Sequence, residues 1–162
     1  MIREATEADV PLILHFIKAL AEYERLADRV VTNEDQVRRT LFGSPRYAEV
    51  IIAEEETGEP AGFALFFHNY STFLGQPGIY LEDLFVREEM RGRGYGKALL
   101  GRLAQIARER DCGRVEWAVL DWNEPALRFY QSLGARQMKE WIVHRLTPVE
   151  IGKLAEEMEE AS

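Results

Sequence analysis

The chain has 162 residues, 46% hydrophobic and 30% charged, with a formal net charge of -8, which fits one globular domain with a real core. The acidic balance, with no block of lysine or arginine, argues against nucleic acid as a partner and suits a small cationic one. One cysteine, Cys112, excludes an internal disulfide framework and a cysteine-based zinc site, and no apolar run resembles a signal core or a membrane span, so a cytoplasmic protein is expected.

In chain order, residues 1–5 read as a short strand. TEAD (6–9) has the form of a capping box with Asp9 in place of Glu or Gln, and it opens a helix with Val10, Ile13, Ile17 and Leu20 at helical spacing. TNED (32–35) starts a second helix that runs to about Phe42. The period then changes: AEVIIAEEE (48–56), a TGEP turn and AGFALFFHNY (61–70) read as a hairpin. IYLEDLFV (79–86) reads as a buried strand. A helix is expected over about 95–110, with Leu99, Leu100, Leu103, Ile106 and Ala107 on one side, then a strand over RVEWAVLDW (114–122). NEPALRFYQSLG (123–134) has a helix cap at Asn123, Pro125 in the first turn and a stop at Gly134. RQMKEWIVHRL (136–146) is expected as a closing strand, and a charged helical tail follows Pro148. With no repeat or linker, a single domain over 1–162 is expected, an α/β fold of order β-α-α-β-β-β-α-β-α-β with at least one strand–helix–strand crossover.

RGRGYG (91–96) lies between the 79–86 strand and the helix after it. The first amides of a helix lack partners, its dipole is positive there, and glycines let main chain wrap an anion closely. Arg91 and Arg93 add charge. A nucleotide-triphosphate loop would need GxxxxGK[ST], but Ala98 follows Lys97. A dinucleotide fold would need GxGxxG after its first strand and an acid closer than Asp121. A pyrophosphate held without a base-reading strand remains, and coenzyme A is such a ligand.

With those residues in place, Arg91-Gly92-Arg93-Gly94-Tyr95-Gly96 resembles the acyl-CoA loop of the GNAT superfamily of N-acetyltransferases. YLEDLFV (80–86), WNEPALRFY (122–130) and LAEYERL (20–26) are similar to the diamine (spermidine/spermine) and thialysine acetyltransferases, and the likeness runs from IREAT to HRL. The resemblance implies a mixed, mostly antiparallel sheet flanked by helices, acetyl-CoA as donor, no metal and a homodimer with the C-terminal strand or tail as a candidate contribution across the interface. It implies that the cofactor is held by Leu84, Phe85 and Val86 through main chain, by the 91–96 loop with Lys97, and by Asn123, Glu124, Pro125 and Ala126.

The reaction sets its own demands. An alkylamine has a pKa near 10.4, so freeing it at pH 7 costs about 4–5 kcal/mol without help. Glu82 and Asp83 stand within an otherwise apolar strand, where carboxylates are costly unless paired or used, and alternation sends them to opposite faces. The resemblance makes Glu82 the candidate base and a substrate contact, Asp83 a source of negative charge near the amine, and Tyr130 the acid that protonates the leaving thiolate. Tyr23 and Glu24 match residues facing the polyamine, and Trp141 a further acceptor contact. The acceptor expected is a polyamine or diamine. The alternatives are thialysine, another amino acid or a protein lysine, and a non-catalytic acyl-CoA-binding sensor. His15, His68 and His144 show no metal-ligand spacing, and Cys112 reads as a small half-buried residue.

Overall fold

The computed structural model describes residues 1–162. The chain forms two compact units, Met1–Leu120 and Asp121–Ser162. In the first, a five-stranded sheet has the order β1-β2-β3-β4-β5, from β1 (Ile2–Glu4), β2 (Glu49–Glu54), β3 (Pro60–Ser71), β4 (Gln76–Val86) and β5 (Val115–Trp117). The first four pair antiparallel. β5 joins β4 in parallel, because α3 (Tyr95–Glu109) makes the crossover between them. The expected mixed, mostly antiparallel sheet is therefore present.

Two faces of the sheet are covered by different helices. The face carrying Val50, Ile52, Phe63 and Phe85 packs with Val10, Ile13 and Phe16 of α1 (Val10–Tyr23) and with Val37 and Leu41 of α2 (Glu34–Phe42). Phe16 lies 5.3 Å from Phe63 and 5.8 Å from Phe85, ring centre to ring centre; each buried ring contributes about 2–3 kcal/mol. Alternate residues face the other way, where α3 packs on β2, β3 and β4 through the buried Leu99, Leu103 and Ile106.

The helix starts behave as their sequences indicate. The Asp9 carboxylate accepts the Thr6 N–H at 2.7 Å and also takes both ends of the Arg3 guanidinium. At α2, Asn33 and Gln36 exchange side-chain and main-chain bonds in a reciprocal cap.

In the second unit, α4 (Glu124–Ser132) and α5 (Pro148–Ala161) form where helices are expected. Two strand expectations fail. β5 ends at Trp117 instead of 122, and residues 136–146 form no strand. A turn at 139–140, closed by the Trp141 N–H on the Met138 carbonyl at 3.2 Å, breaks that segment. Its branched and aromatic residues favour a strand, but propensity without a neighbouring ladder does not make one, and Trp141, Ile142 and Val143 are all exposed. No helix is long and apolar enough to cross a membrane.

Candidate active site

The acidic part of the site comes from the end of α1 and a defect in β4. α1 stops at Tyr23, and Arg25 takes a left-handed φ of 61°, which turns the chain just after Glu24. On β4, Leu81 pairs with Phe66 and Asp83 with Leu65, so Glu82 is the extra residue of a β-bulge. Strict alternation is broken there. The expectation that Glu82 and Asp83 point to opposite faces rested on an unbroken pleat and does not hold in that simple form: Leu81 and Asp83 take opposite faces, and Glu82 is an exposed bulge residue.

These carboxylates sense one another. Burial first, then the charges of Glu82 and Glu24, push the Asp83 carboxyl up to about 6 from an ordinary 3.8. Burial and Glu82 also raise Glu24. Tyr80, two residues before the bulge, is raised by burial and by Glu82 and Glu116; Glu116 sits opposite Tyr80 in the parallel register of β4 and β5. The sequence gives Tyr80 no role, and the resemblance places Glu116 only within a substrate-lining stretch whose side chains differ from the family's. Their signal was present in the spacing Tyr80-x-Glu82, but not the pairing with β5. Glu24, Glu82 and Asp83 thus form a group of like charges, which a cation would relieve.

Arg91–Gly96 connects β4 to α3. Gly92 and Gly94 take φ of 77° and 88°, left-handed values that L side chains resist, and the space beside both Cα atoms is open. Gly94 caps α3 with no side-chain bond, and no acidic residue lies in the first turn. The amides of Tyr95, Gly96 and Lys97 are therefore available to an anion. The two arginines are used differently from the sequence expectation. Arg93 pairs with Glu55 at 2.7 Å. Arg91 donates through Nε to the Val86 carbonyl at 2.9 Å, and its guanidinium lies 4.8 Å from the Tyr23 ring centre and 5.8 Å from that of Phe85. At the start of α3 itself, main-chain N–H groups rather than these two charges are what the loop offers an anion.

Leu84, Phe85 and Val86 pair only with β3, because the β4–β5 ladder stops at Leu81 opposite Trp117. No strand pairs their other main-chain edge, where Arg91 takes the Val86 carbonyl. Phe85 itself is buried in the core, and its carbonyl oxygen faces Gly62 of β3. Gly62 keeps this stretch in place: a Cβ there would come within 2.2 Å of the Phe85 carbonyl oxygen. An uncapped, glycine-lined helix start beside an unpaired strand edge suits the pyrophosphate and amide-bearing arm of acetyl-CoA.

The second unit carries the other expected residues. Asn123 is buried and caps α4 by accepting the Ala126 N–H at 3.4 Å. Glu124 and Pro125 form the exposed first turn, where Glu124 reaches Arg128. Tyr130 is half-buried on the same helix, with its ring 5.6 Å from that of Phe129. Trp141 is 74% exposed, in the segment that forms no strand. No group of three or more His, Cys, Asp or Glu is arranged to hold a metal ion. His68 instead spans Gly78 and Arg110.

The sheet, the crossover helix and its uncapped start are those of an acyltransferase-like α/β fold. The acetyltransferase (GNAT) family profile matches residues 17–135. The chain is 40% identical over 147 residues to a thialysine N-epsilon-acetyltransferase of Bos taurus, covering 86% of each chain. It is 32% identical over 163 residues to the spermidine/spermine N(1)-acetyltransferase-like protein 1 of Homo sapiens, covering 95% of this chain and 23% of that protein. Among solved structures, an integron cassette protein from the mobile metagenome of V. cholerae superposes with a TM-score of 0.80 at 28% identity, over 96% of both chains. The chain belongs to the GNAT family of acetyltransferases.

Proposed function

We propose that the protein moves an acetyl group from acetyl-CoA to the primary amine of a small cationic acceptor. Acetyl-CoA supplies an activated acetyl thioester. The backbone of Leu84–Val86 and the Arg91–Lys97 loop are proposed to hold it; in the second unit, Asn123–Ala126 are proposed as cofactor contacts. Glu24, Glu82 and Asp83 draw in the ammonium form of the acceptor, and the Glu82–Asp83 pair takes its proton, directly or through water. Tyr130 returns a proton to the departing thiolate. The observation that carries this reading is Asp83, a carboxyl at about 6 beside two further acids: it is ionised at neutral pH, yet close enough to 7 to accept a proton.

Two acceptor classes follow. A diamine or polyamine suits a site built of carboxylates and a tyrosine ring. An amino acid such as thialysine is favoured by the name of the 40%-identical relative. The protein is further proposed to be a cytoplasmic homodimer.

Thiol release from acetyl-CoA with spermidine, spermine, putrescine, thialysine, lysine and a lysine peptide tests the reading. Turnover with any of the small amines supports it. Acetyl-CoA binding without release to any of them would overturn it in favour of an acyl-CoA sensor.

A further inference from the structure

We infer that the cleft next to the acidic cluster is a head-group subsite that takes the α-carboxylate and α-ammonium of an amino-acid acceptor. This rests on the acetyl-transfer reading above and deepens it.

The cleft, of about 500 Å³, lies between the last two turns of α1 and the residues that follow β4. That volume is within the range of small-molecule sites. Its walls continue those of the ammonium site: Tyr23 precedes Glu24 on one side, and Phe85 follows Asp83 by two residues on the same face of β4. Two residues along a strand is about 7 Å. Four or five carbon–carbon and carbon–nitrogen bonds, the distance from an α-carbon to a δ- or ε-amine, extend about 5–6 Å. An amine held at Asp83 therefore places the α-carbon at the cleft.

The cleft has the charges to receive that end. Arg87 and Arg91 both line it, with His15 from α1. The buried Nε of Arg87 has no hydrogen-bond partner, and the nearest carboxylate to its guanidinium, Glu59, is 3.9 Å away. A buried donor left unpaired is costly, and the accessible part of the same side chain, a quarter exposed, is what a carboxylate in the cleft can reach. Arg91 spends only Nε on the protein, at Val86, and its guanidinium lies over the Tyr23 and Phe85 rings. Two restrained guanidinium groups suit the planar, two-oxygen geometry of a carboxylate. Glu22, Glu88 and Glu89 also line the cleft. They disfavour a simple anion but complement an α-ammonium. Both signs together match a zwitterion, whereas a diamine offers Arg87 and Arg91 only a second cation.

The test uses a matched pair: thialysine, and bis(2-aminoethyl) sulfide, which is thialysine without its carboxylate. In the unaltered protein thialysine is expected to have at least a tenfold higher kcat/KM, mostly through KM. Arg87→Gln should cut kcat/KM for thialysine far more than for the diamine and so collapse the preference; Arg87→Lys should restore part of it. Calorimetric titration of both compounds into the CoA-bound protein separates the two claims. Thialysine binding that Arg87→Gln abolishes, without acetyl transfer, would support the subsite and overturn the transfer reading. Acetyl transfer with equal kcat/KM for the pair, or an Arg87→Gln loss equal for both, would overturn the subsite and leave the transfer reading standing. Absence of thialysine binding would also overturn the subsite.

Discussion

Asp83→Asn should make the protein more stable at neutral pH while damaging its amine site. Asp83 has a carboxyl at about 6 against an ordinary 3.8. That gap of about 2 pK units corresponds to about 3 kcal/mol at 1.36 kcal/mol per unit. The sign follows from proton counting. Below the unfolded value, Asp83 is protonated in both states and costs nothing. Between 3.8 and about 6 the unfolded chain gives up its proton and the folded chain keeps it, so stability falls as pH rises. Above about 6 the whole cost is present. Asparagine carries no charge to bury, so the stabilisation should approach 3 kcal/mol at pH 7.5 and vanish below about pH 4. At about 2–4 °C per kcal/mol for a chain of this size, the Tm gain at pH 7.5 should be about 6–12 °C. Paired thermal melts of the two proteins at pH 4.0, 6.0 and 7.5 measure it. No gain at pH 7.5, or an equal gain at pH 4.0, would refute the claim that Asp83 is held ionised against burial and its acidic neighbours.

Other outcomes follow from the same geometry. The KM for the amine should rise as pH falls below about 6, as Asp83 takes up its proton, and a steady-state pH series should show that step flattened in Asp83→Asn. Tyr130→Phe should lose about 100-fold in kcat with acetyl-CoA affinity kept, and near-normal turnover would remove its acid role. Gly94→Ala forces a side chain into φ 88° at a cost of about 1–2 kcal/mol; acetyl-CoA should bind about tenfold more weakly, read by titration calorimetry. Light scattering should give the mass of two chains. Trp141→Asp with Val143→Asp should return one chain if the exposed Trp141–Val143 run lies in the dimer contact.

The fold could be read wherever a residue's neighbours in sequence are also its neighbours in space. Val10, Ile13 and Phe16 fix one face of α1, Asn33 and Gln36 cap α2 by themselves, and Gly92 and Gly94 mark the turn before α3. Residues 136–146 failed for the opposite reason: a strand is defined by its partner, and sequence composition names no partner. The same limit hid the true roles of the loop arginines. Nothing local to RGRGYG indicates that Glu55, 38 residues earlier, takes Arg93, or that Tyr23 from α1 lies under Arg91. The resemblance makes Glu82 the candidate base, and nothing local to YLEDLFV separates it from Asp83. Burial separates them, and burial is a tertiary property.

The bulge at Glu82 links the two halves of the proposed chemistry. It inserts one residue into β4 just beyond Leu81, the last residue paired with β5. A bulge bends and twists its strand, and beyond it β4 has no β5 partner, so no strand pairs that edge of Leu84–Val86. The same extra residue lets Glu82 and Asp83 act on each other and on Glu24 rather than alternate through the sheet. An unpaired edge for the donor and a gathered set of carboxylates for the acceptor therefore arise from one departure from regular pairing, three residues apart along one strand. Removing it, by deleting Glu82, would restore the pleat and close both together, whereas Glu82→Gln would keep the edge and alter only the charge.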